Sequence, residues 1–167
     1  MASDMHLGSL LRTLVASKPK GRFLELGTGA GLSLCWMVDG MDNDSELISL
    51  DNDMDLVALV EPCFKNNNNV HIYCTDAGDW INSFKGPKFD LIFADTWPGK
   101  YSHLEATLRL LKKGGFYVVD DMTEQPNWPQ GHFQKAENLM GYLERHKDFD
   151  FTKIAWSTGI MLGTKRR

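Results

Sequence analysis

The chain has 167 residues, a length typical of one domain built around a single hydrophobic core. At 43% hydrophobic and 24% charged residues, its composition is that of a globular protein and excludes a disordered or fibrous chain. Eighteen Lys and Arg against 22 Asp and Glu give a net charge of −4, which favours neither nucleic acid nor an anionic membrane as a partner. We expect one domain over residues 1–167.

The first residues of the chain and its three cysteines indicate where in the cell the protein is expected. The longest apolar run near the start, Leu10-Leu11, ends at Arg12, so we expect no signal peptide or spanning helix and predict a cytoplasmic location. Cys35, Cys63 and Cys74 are an odd number and lack the spacing of a disulfide framework or a zinc site. We expect buried, reduced thiols.

Short apolar segments alternate with segments of helical pattern, after an amphipathic helix over Met5 to Ser17. This βαβ alternation predicts a parallel, doubly wound α/β sheet of the Rossmann-like kind. The predicted strands are Arg22 to Leu26, Glu46 to Leu50, Val70 to Cys74, Phe89 to Ala94, and Gly115 to Val119. The predicted intervening helices cover residues 30–39, 53–65, 77–85 and 101–112.

The end of the chain has a different pattern. A helix over 131–146 precedes two predicted strands, Phe149 to Trp156 and Ile160 to Lys165, joined by only three residues. Because so short a link cannot form a parallel crossover, these strands must form an antiparallel hairpin. We therefore predict a mixed, seven-stranded sheet with strand 160–165 between strands 115–119 and 149–156. The last three residues, 165–167, are expected to be a solvated chain end.

A glycine-rich turn separates the first predicted strand from the next helix. Gly27, Gly29 and Gly31 would let the backbone approach a ligand closely and expose the N–H groups at the helix start. This arrangement favours a nucleotide-type cofactor. A dinucleotide-binding turn has GxGxxG spacing, but Leu32 stands where its third glycine belongs. An NAD(P)-dependent oxidoreductase is thus an alternative that this spacing opposes.

The GxGxG spacing after an acid, Glu25, resembles S-adenosylmethionine-dependent methyltransferases of the Rossmann-like class, which share the C-terminal antiparallel hairpin. Within that class the chain is most similar to small O-methyltransferases related to catechol and caffeoyl-CoA O-methyltransferases. The resemblance covers nearly the whole chain and implies O-methyl transfer to a small-molecule hydroxyl. It is carried by residues 8–11, 24–27, 33, 95–101, 110–115 and 119–121.

The resemblance implies a role for each polar residue near the glycine turn, which would pass beneath S-adenosylmethionine. Ser33 would bind the methionine carboxylate, Asp51 the ribose hydroxyls, and Asp76 with Ala77 the adenine. Asp95 would lie beside the methionine moiety and offset its positive charges. The three acids follow consecutive predicted strands, where ligands bind in such sheets. The predicted cofactor-binding set is Glu25, Gly27, Thr28, Gly29, Ser33, Asp51, Asp76, Ala77 and Asp95.

A second set of acids is expected on the side of the methyl acceptor. In catechol-type enzymes two Asp and one Asn hold a divalent cation, and a Lys assists as base. Asp95, Asp120 and Asp121 stand at the ligand positions, which would suit magnesium. However, Pro98 replaces the family's Lys, and Lys100 is the nearest cation. The resemblance leaves metal dependence open; no metal ligand is assigned, and Asp95 and Asp121 are the catalytic candidates.

Aromatic residues are expected near the acceptor. Trp97 follows the fourth predicted strand, and Trp128 lies in segment 122–131, which can overhang the site. Either ring could contact a substrate or close the core. Trp97, Trp128 and Asp120 form the predicted substrate set. His132 is expected to be a surface residue near a helix start, with a general-base role as the alternative.

Two other interpretations concern activity and assembly. Since the family's Lys is missing and the chain is short, a cofactor-binding partner subunit without its own turnover is an alternative to an enzyme. The predicted partner is a small-molecule acceptor, with no nucleic acid and no membrane. A homodimer is one candidate assembly, and the sequence does not decide the oligomeric state.

Overall fold

The computed structural model describes residues 4–166, which contain one seven-stranded sheet. Among these residues, no helix is both long and apolar enough to span a bilayer. The strands are β1 (Arg22–Leu26), β2 (Glu46–Asp51), β3 (Val70–Cys74), β4 (Phe89–Ala94), β5 (Leu111–Val119), β6 (Phe149–Ile154) and β7 (Ile160–Lys165). The helices are α1 (Met5–Ala16), α2 (Leu32–Gly40), α3 (Met54–Val60), α4 (Ala77–Ser83), α5 (Leu104–Arg109) and α6 (His132–Glu144), and a 3-10 helix (Glu61–Phe64) follows α3.

The sheet has the strand order β3-β2-β1-β4-β5-β7-β6. Strands β1 to β5 are parallel, whereas β7 is antiparallel to both β5 and β6. This confirms the predicted mixed sheet and the insertion of the last strand between its two neighbours. The order reverses at β1 and β4, and the carboxyl ends of these strands form the edge where doubly wound sheets bind ligands.

The core has two layers, one on each face of the sheet. Side chains alternate along β1, so that Phe23 packs in one layer with Leu11 of α1 and Leu24 packs in the other with Leu139 of α6. Both faces are therefore covered by helices. The strand ends, rather than the faces, are left to form a site.

Two predicted helices are shorter than expected. The helix predicted over 53–65 ends at Val60 and continues as the 3-10 helix, because Pro62 has no N–H to donate to the preceding turn. The helix predicted over 101–112 spans only Leu104–Arg109. It begins after His103, whose backbone is left-handed with φ 57°, and Leu111 already pairs with Phe89 in the sheet.

Two predictions about exposure are wrong. Cys35, Cys63 and Cys74 are exposed thiols rather than buried ones, since they lie on the outward sides of α2 and the 3-10 helix and at the end of edge strand β3. The prediction of a solvated chain end is also wrong for Lys165 and Arg166, whose side chains form hydrogen bonds with the rest of the protein. Lys165 Nζ donates to the carbonyls of residues 108 and 111, at 2.9 and 3.1 Å, and Arg166 donates to that of residue 149. Both side chains fix β7 to the neighbouring elements; the last residue lies outside the described range.

Candidate active site

The glycine loop connects β1 to α2 at the carboxyl edge of the sheet. Gly27 has φ +103°, and a β-carbon there would lie 2.9 Å from Thr96 Cγ2. Its N–H donates to the Leu50 carbonyl at 2.8 Å, which ties the loop to the end of β2. Only glycine combines this left-handed backbone with so close an approach to the segment after β4. The backbone of the loop therefore lies against the space between the strand ends.

A chain of hydrogen bonds lies beneath this loop. The Ser33 hydroxyl donates to Glu25 Oε1 at 2.6 Å and the Ser49 hydroxyl to Oε2 at 2.5 Å, while Thr28 Oγ1 and Ser49 Oγ are 2.6 Å apart. Glu25 is fully buried, which raises the pKa of its carboxyl to about 7. Ser33 thus binds Glu25 directly, and Thr28 is linked to Glu25 through Ser49. These bonds support the loop, and contacts of Glu25, Thr28 and Ser33 with a cofactor stay a prediction.

The loop borders a cavity of about 530 Å³, which we call the strand-end cavity. It is lined by residues at or after the carboxyl ends of β1, β2, β3 and β4, so four strand ends contribute to one cavity. Predicted site residues account for much of its wall. The lining comprises Gly27, Gly29, Leu50, Asp51, Asn52, Thr75, Asp76, Ala77, Asp95, Thr96, Trp97, Pro98 and Ser102.

Local backbone N–H groups orient two of the lining carboxylates. Asp51 accepts hydrogen bonds from the N–H of Gly29 at 2.8 Å and from that of Asp53 at 3.0 Å. Asp76 caps α4 by accepting from the N–H of Asp79 at 2.9 Å. A carboxylate oxygen can accept more than one hydrogen bond, so both side chains can still bind ligand hydroxyl or amino groups. Their fixed orientation suits a polar ligand such as a nucleoside.

Three carboxylates and one lysine meet where β4 and β5 end. Asp95 is largely buried, and this burial, with repulsion from Asp120 and Asp121, raises the pKa of its carboxyl to about 7. Burial also raises the pKa of Asp120, although the Thr158 hydroxyl donates to its Oδ1 at 2.7 Å. Lys100 is only 5% exposed, and its Nζ donates to the Asp120 carbonyl at 2.6 Å. Burial lowers the pKa of the Lys100 ammonium, and the negative charges of Asp95, Asp121 and Asp120 partly oppose that effect.

An aromatic cluster borders this carboxylate group. The His132 ring is partly buried and contacts Trp97, Tyr101 and Trp128, with ring centroids 5.9, 5.5 and 4.4 Å away. Trp97 is 52% exposed, and Lys135 Nζ lies 4.6 Å from its ring centroid. The expectation that His132 is an ordinary surface residue is therefore incomplete: it begins α6 as predicted, but it sits among three aromatic rings.

A second cavity, of about 780 Å³, lies between α5 and α6 and is called the interhelical cavity here. Trp97 and Ser102 line both cavities, so the two spaces share a wall. Leu104 and Tyr142 contribute apolar surface, and Lys135 contributes a cation. A ligand in the interhelical cavity could therefore approach the strand-end cavity past the Trp97 ring.

Several residues of the site were missed by sequence reasoning. Thr158 lies in the link between β6 and β7 and reaches Asp120 across 38 residues. Tyr101 was part of the family resemblance but was given no role, although its hydroxyl is 3.5 Å from His132 Nε2. Ser102 was not considered. The only available signal for Thr158 was the predicted hairpin, which brings residue 158 back to the end of β5.

Comparison with known proteins identifies the family of this chain. The sequence profile of a family described as "Methyltransferase domain" matches residues 24–122, which include the glycine loop, the three carboxylates and Lys100. The chain belongs to this methyltransferase family. A protein from Mycobacterium avium, named "Putative O-methyltransferase", is 27% identical over 118 residues that cover 68% of this chain and 53% of that protein. The chain thus spans about half the length of the curated relatives it matches.

Solved structures share the fold. The O-methyltransferase TomG from Streptomyces achromogenes, determined with S-adenosylmethionine, superposes with a TM-score of 0.86 at 21% identity, covering 99% of this chain and 82% of TomG. An O-methyltransferase from Bacillus cereus, determined with S-adenosylhomocysteine, gives a TM-score of 0.84 at 17% identity, covering 99% and 83% of the two chains. The Rossmann-like methyltransferase fold predicted from the sequence is confirmed.

Proposed function

We propose that residues 1–167 form one S-adenosylmethionine-dependent methyltransferase domain that transfers a methyl group to a hydroxyl of a small molecule. One observation carries the proposal: the strand-end cavity, framed by the glycine loop and by acids from three consecutive strand ends, opens beside a buried carboxylate cluster. The antiparallel position of β7 also counts against the NAD(P)-dependent alternative. The family match supports an enzyme rather than a partner subunit without turnover.

The residues of the strand-end cavity fit S-adenosylmethionine. The Asp51 carboxylate would accept the ribose hydroxyls, Asp76 and the Ala77 backbone would bind the adenine, and Asp95 would face the positively charged methionine end. Glu25, Thr28 and Ser33 would act mainly by holding the glycine loop in place. When bound, S-adenosylmethionine supplies a methyl group already activated by the sulfonium.

The chain's own residues would then align the acceptor and take its proton. A nearby carboxylate would take the proton of the acceptor hydroxyl as the acceptor oxygen displaces the sulfur at the methyl carbon. Asp95 and Asp121 are the candidates. The pKa of the Asp95 carboxyl is raised to about 7, so this group can exchange protons readily at neutral pH. Trp97 and Trp128 would form the wall against which the acceptor packs, and Asp120 would lie behind them.

The acceptor class, location and assembly belong to the same proposal. A net charge of −4 and the aromatic lining of the interhelical cavity support a small, partly apolar acceptor rather than nucleic acid. We place the protein in the cytoplasm, without a membrane partner, and consider a homodimer as one assembly. Size-exclusion chromatography with light scattering would decide the assembly.

The proposal is tested by calorimetric titration with S-adenosylhomocysteine. We expect wild-type affinity in the micromolar range, about −7 to −8 kcal/mol. Asp51→Ala should weaken binding by about tenfold or more, because it removes the carboxylate expected at the ribose. Asp55→Ala is the matched control, since Asp55 is exposed on α3 and does not line the strand-end cavity. Equal affinity in both variants would contradict the proposed cofactor site.

A further inference from the structure

The interhelical cavity is the larger of the two cavities, and most of its wall lies outside the proposed cofactor site. Its volume of about 780 Å³ is within the range of roughly 300–1,000 Å³ that small-molecule sites occupy. Among the described residues, Trp97 and Ser102 are the two that line both cavities. A ligand in the interhelical cavity would therefore lie beside the cofactor site without occupying it.

The wall of the interhelical cavity is rich in aromatic and aliphatic side chains. The rings of Trp97 and Tyr101 pack against each other with centroids 5.1 Å apart, on the segment between β4 and α5. Leu104 of α5 and Leu139 and Tyr142 of α6 add apolar surface from the two helices. Such a wall favours a ligand with a flat, apolar body such as an aromatic ring.

The charged groups of the wall are unequal in number. In the part of the lining that the structure describes, Glu105 supplies the one carboxylate, and its Oε1 already accepts the Tyr142 hydroxyl at 2.6 Å and lies 3.4 Å from His146 Nε2. Arg109 of α5 and Lys135 of α6 also line the cavity, and no ion pair among residues 4–166 includes either of them. In a chain of net charge −4, this local excess of positive charge favours an anionic ligand.

One of these cations lies next to an aromatic ring of the wall. Lys135 Nζ is 4.6 Å from the centroid of the Trp97 ring, which is 52% exposed. A ligand that combines a ring with an acid group could contact both side chains at once. Lys100 also lines the cavity, but its Nζ donates to the Asp120 carbonyl at 2.6 Å, so the argument does not need it.

We propose that the interhelical cavity binds a small aromatic carboxylate, whose ring packs against Trp97 and whose acid group is attracted by Lys135 and Arg109. This inference names the class of methyl acceptor, and that part of it rests on the proposed function. The binding of the carboxylate does not. Because Trp97 belongs to both cavities, a hydroxyl on the ring of this ligand would lie on the side of the cofactor site.

The first test compares two probes of the same shape by calorimetric titration, 2-naphthoate and the neutral 2-naphthamide. Wild type should bind 2-naphthoate at about millimolar concentration or below, and about fivefold more tightly than the amide. The double variant Arg109→Gln/Lys135→Gln should bind both probes equally; both residues are exposed, so it should fold. Equal wild-type affinities, or an unchanged preference in this variant, would overturn the proposal.

Lys113→Gln/Lys147→Gln is the matched control for the double variant. It removes the same charge from two exposed residues that line neither cavity. The control should keep the wild-type preference for 2-naphthoate. Loss of that preference in the control would show that it reflects the overall charge of the protein, which would also overturn the proposal.

A second test locates the site without changing charge. Asn138 is exposed on α6 and lines the interhelical cavity, whereas Gln134, one turn earlier, is exposed and does not line it. Asn138→Trp should fill the cavity and weaken 2-naphthoate binding by about tenfold or more, and Gln134→Trp should leave it unchanged. Unchanged binding in Asn138→Trp would contradict the proposal. A wild-type dimer that Asn138→Trp dissociates would show that a second copy fills the cavity, with the same consequence.

The third test concerns the acceptor class. Methyl transfer from radiolabelled S-adenosylmethionine is measured with 3-hydroxy-2-naphthoate and 3-hydroxy-2-naphthamide. The value of kcat/KM should be about fivefold higher for the carboxylate, and the double variant should lose this preference. Faster transfer to the amide, or none to a bound carboxylate, would overturn the acceptor assignment. Binding of 2-naphthoate without binding of S-adenosylhomocysteine would instead contradict the proposed function and leave the carboxylate site standing.

Discussion

The carboxylates at the ends of β2 and β3 have different hydrogen-bond and charge partners from those at the ends of β4 and β5. These two groups of strand ends are the two halves of the site. At the ends of β2 and β3, Asp51 and Asp76 accept three hydrogen bonds from backbone N–H groups, two of which belong to residues two or three positions further along the chain. At the ends of β4 and β5, Asp120 accepts hydrogen bonds from the distant Thr158 hydroxyl and from the Asp121 backbone N–H, and the positive charge of Lys100 opposes part of the rise in the pKa of Asp95 and of Asp120. The first half is oriented by local backbone, and the second by charge and by distant parts of the chain.

The two halves of the site would serve different functions, cofactor binding in the first and proton removal in the second. A cofactor with many hydroxyl and amino groups is bound best by acceptors held in fixed directions. Proton removal from an acceptor instead needs a group whose pKa lies near the working pH, and close packing of buried acids provides it. Changes in the second half should therefore affect turnover and pH response more than cofactor affinity.

Among the variants that distinguish the two halves of the site, we expect the largest effect, a loss of turnover, for Asp121→Asn. Asn tolerates the left-handed backbone of residue 121, where φ is 56°, so the fold should be kept. Removing this charge from the acceptor side should reduce turnover by about 100-fold, since loss of acid–base assistance costs that much or more. Affinity for S-adenosylhomocysteine, measured by calorimetry, should stay within about threefold of wild type.

Asp150→Asn is the control for this prediction, because Asp150 is exposed on edge strand β6 and pairs only with Arg166 among the described ion pairs. Its turnover should equal that of wild type. Wild-type turnover in Asp121→Asn would contradict a catalytic role for Asp121. His132 and the loop that carries Trp128 would then be the next candidates for catalysis.

A smaller effect is expected in the pH dependence of stability. The folded-state pKa of Asp95 is raised to about 7, so the native state retains a proton that the unfolded chain releases near pH 4. Its contribution to stability is complete below the unfolded pKa and is lost as pH rises through about 7. Asp95→Asn should therefore make the fall in unfolding free energy between pH 4 and 7 shallower, by at most about 1.4 kcal/mol per pH unit.

Urea unfolding of the ligand-free protein at several pH values measures this slope. Glu25, with a pKa of about 7, adds a similar slope that Asp95→Asn leaves in place. Asp55→Asn should reproduce the wild-type curve, because Asp55 is exposed on α3. Parallel curves for wild type and Asp95→Asn would show that Asp95 is ionised throughout this range.

The same division explains how much could be predicted from the sequence. The sheet, its mixed topology and the glycine loop follow from patterns within about 30 residues, because strand alternation and turn chemistry are local. Asp51 and Asp76 were found for the same reason: each lies one or two residues after the end of a predicted strand. The partners of the acceptor-side acids are less accessible, since Thr158 meets Asp120 only after α6 and β6 have intervened.

Errors about exposure have a related cause. A free cysteine is usually buried, but burial depends on which side of a helix or which strand of a sheet carries it, and Cys74 lies on edge strand β3. Similarly, Lys165 was taken for a solvated end, although its ammonium reaches two carbonyls near the start of β5. Both outcomes depend on strand order, which residue type alone does not specify.

The most direct test of the account is a crystal structure of this chain with S-adenosylhomocysteine. The account predicts the ligand in the strand-end cavity, with its ribose hydroxyls on Asp51, its adenine beside Asp76 and Ala77, and its sulfur toward Asp95. Lys100 Nζ should keep its hydrogen bond to the Asp120 carbonyl. Absence of the ligand at millimolar concentration, or its presence only in the interhelical cavity, would contradict the central claim.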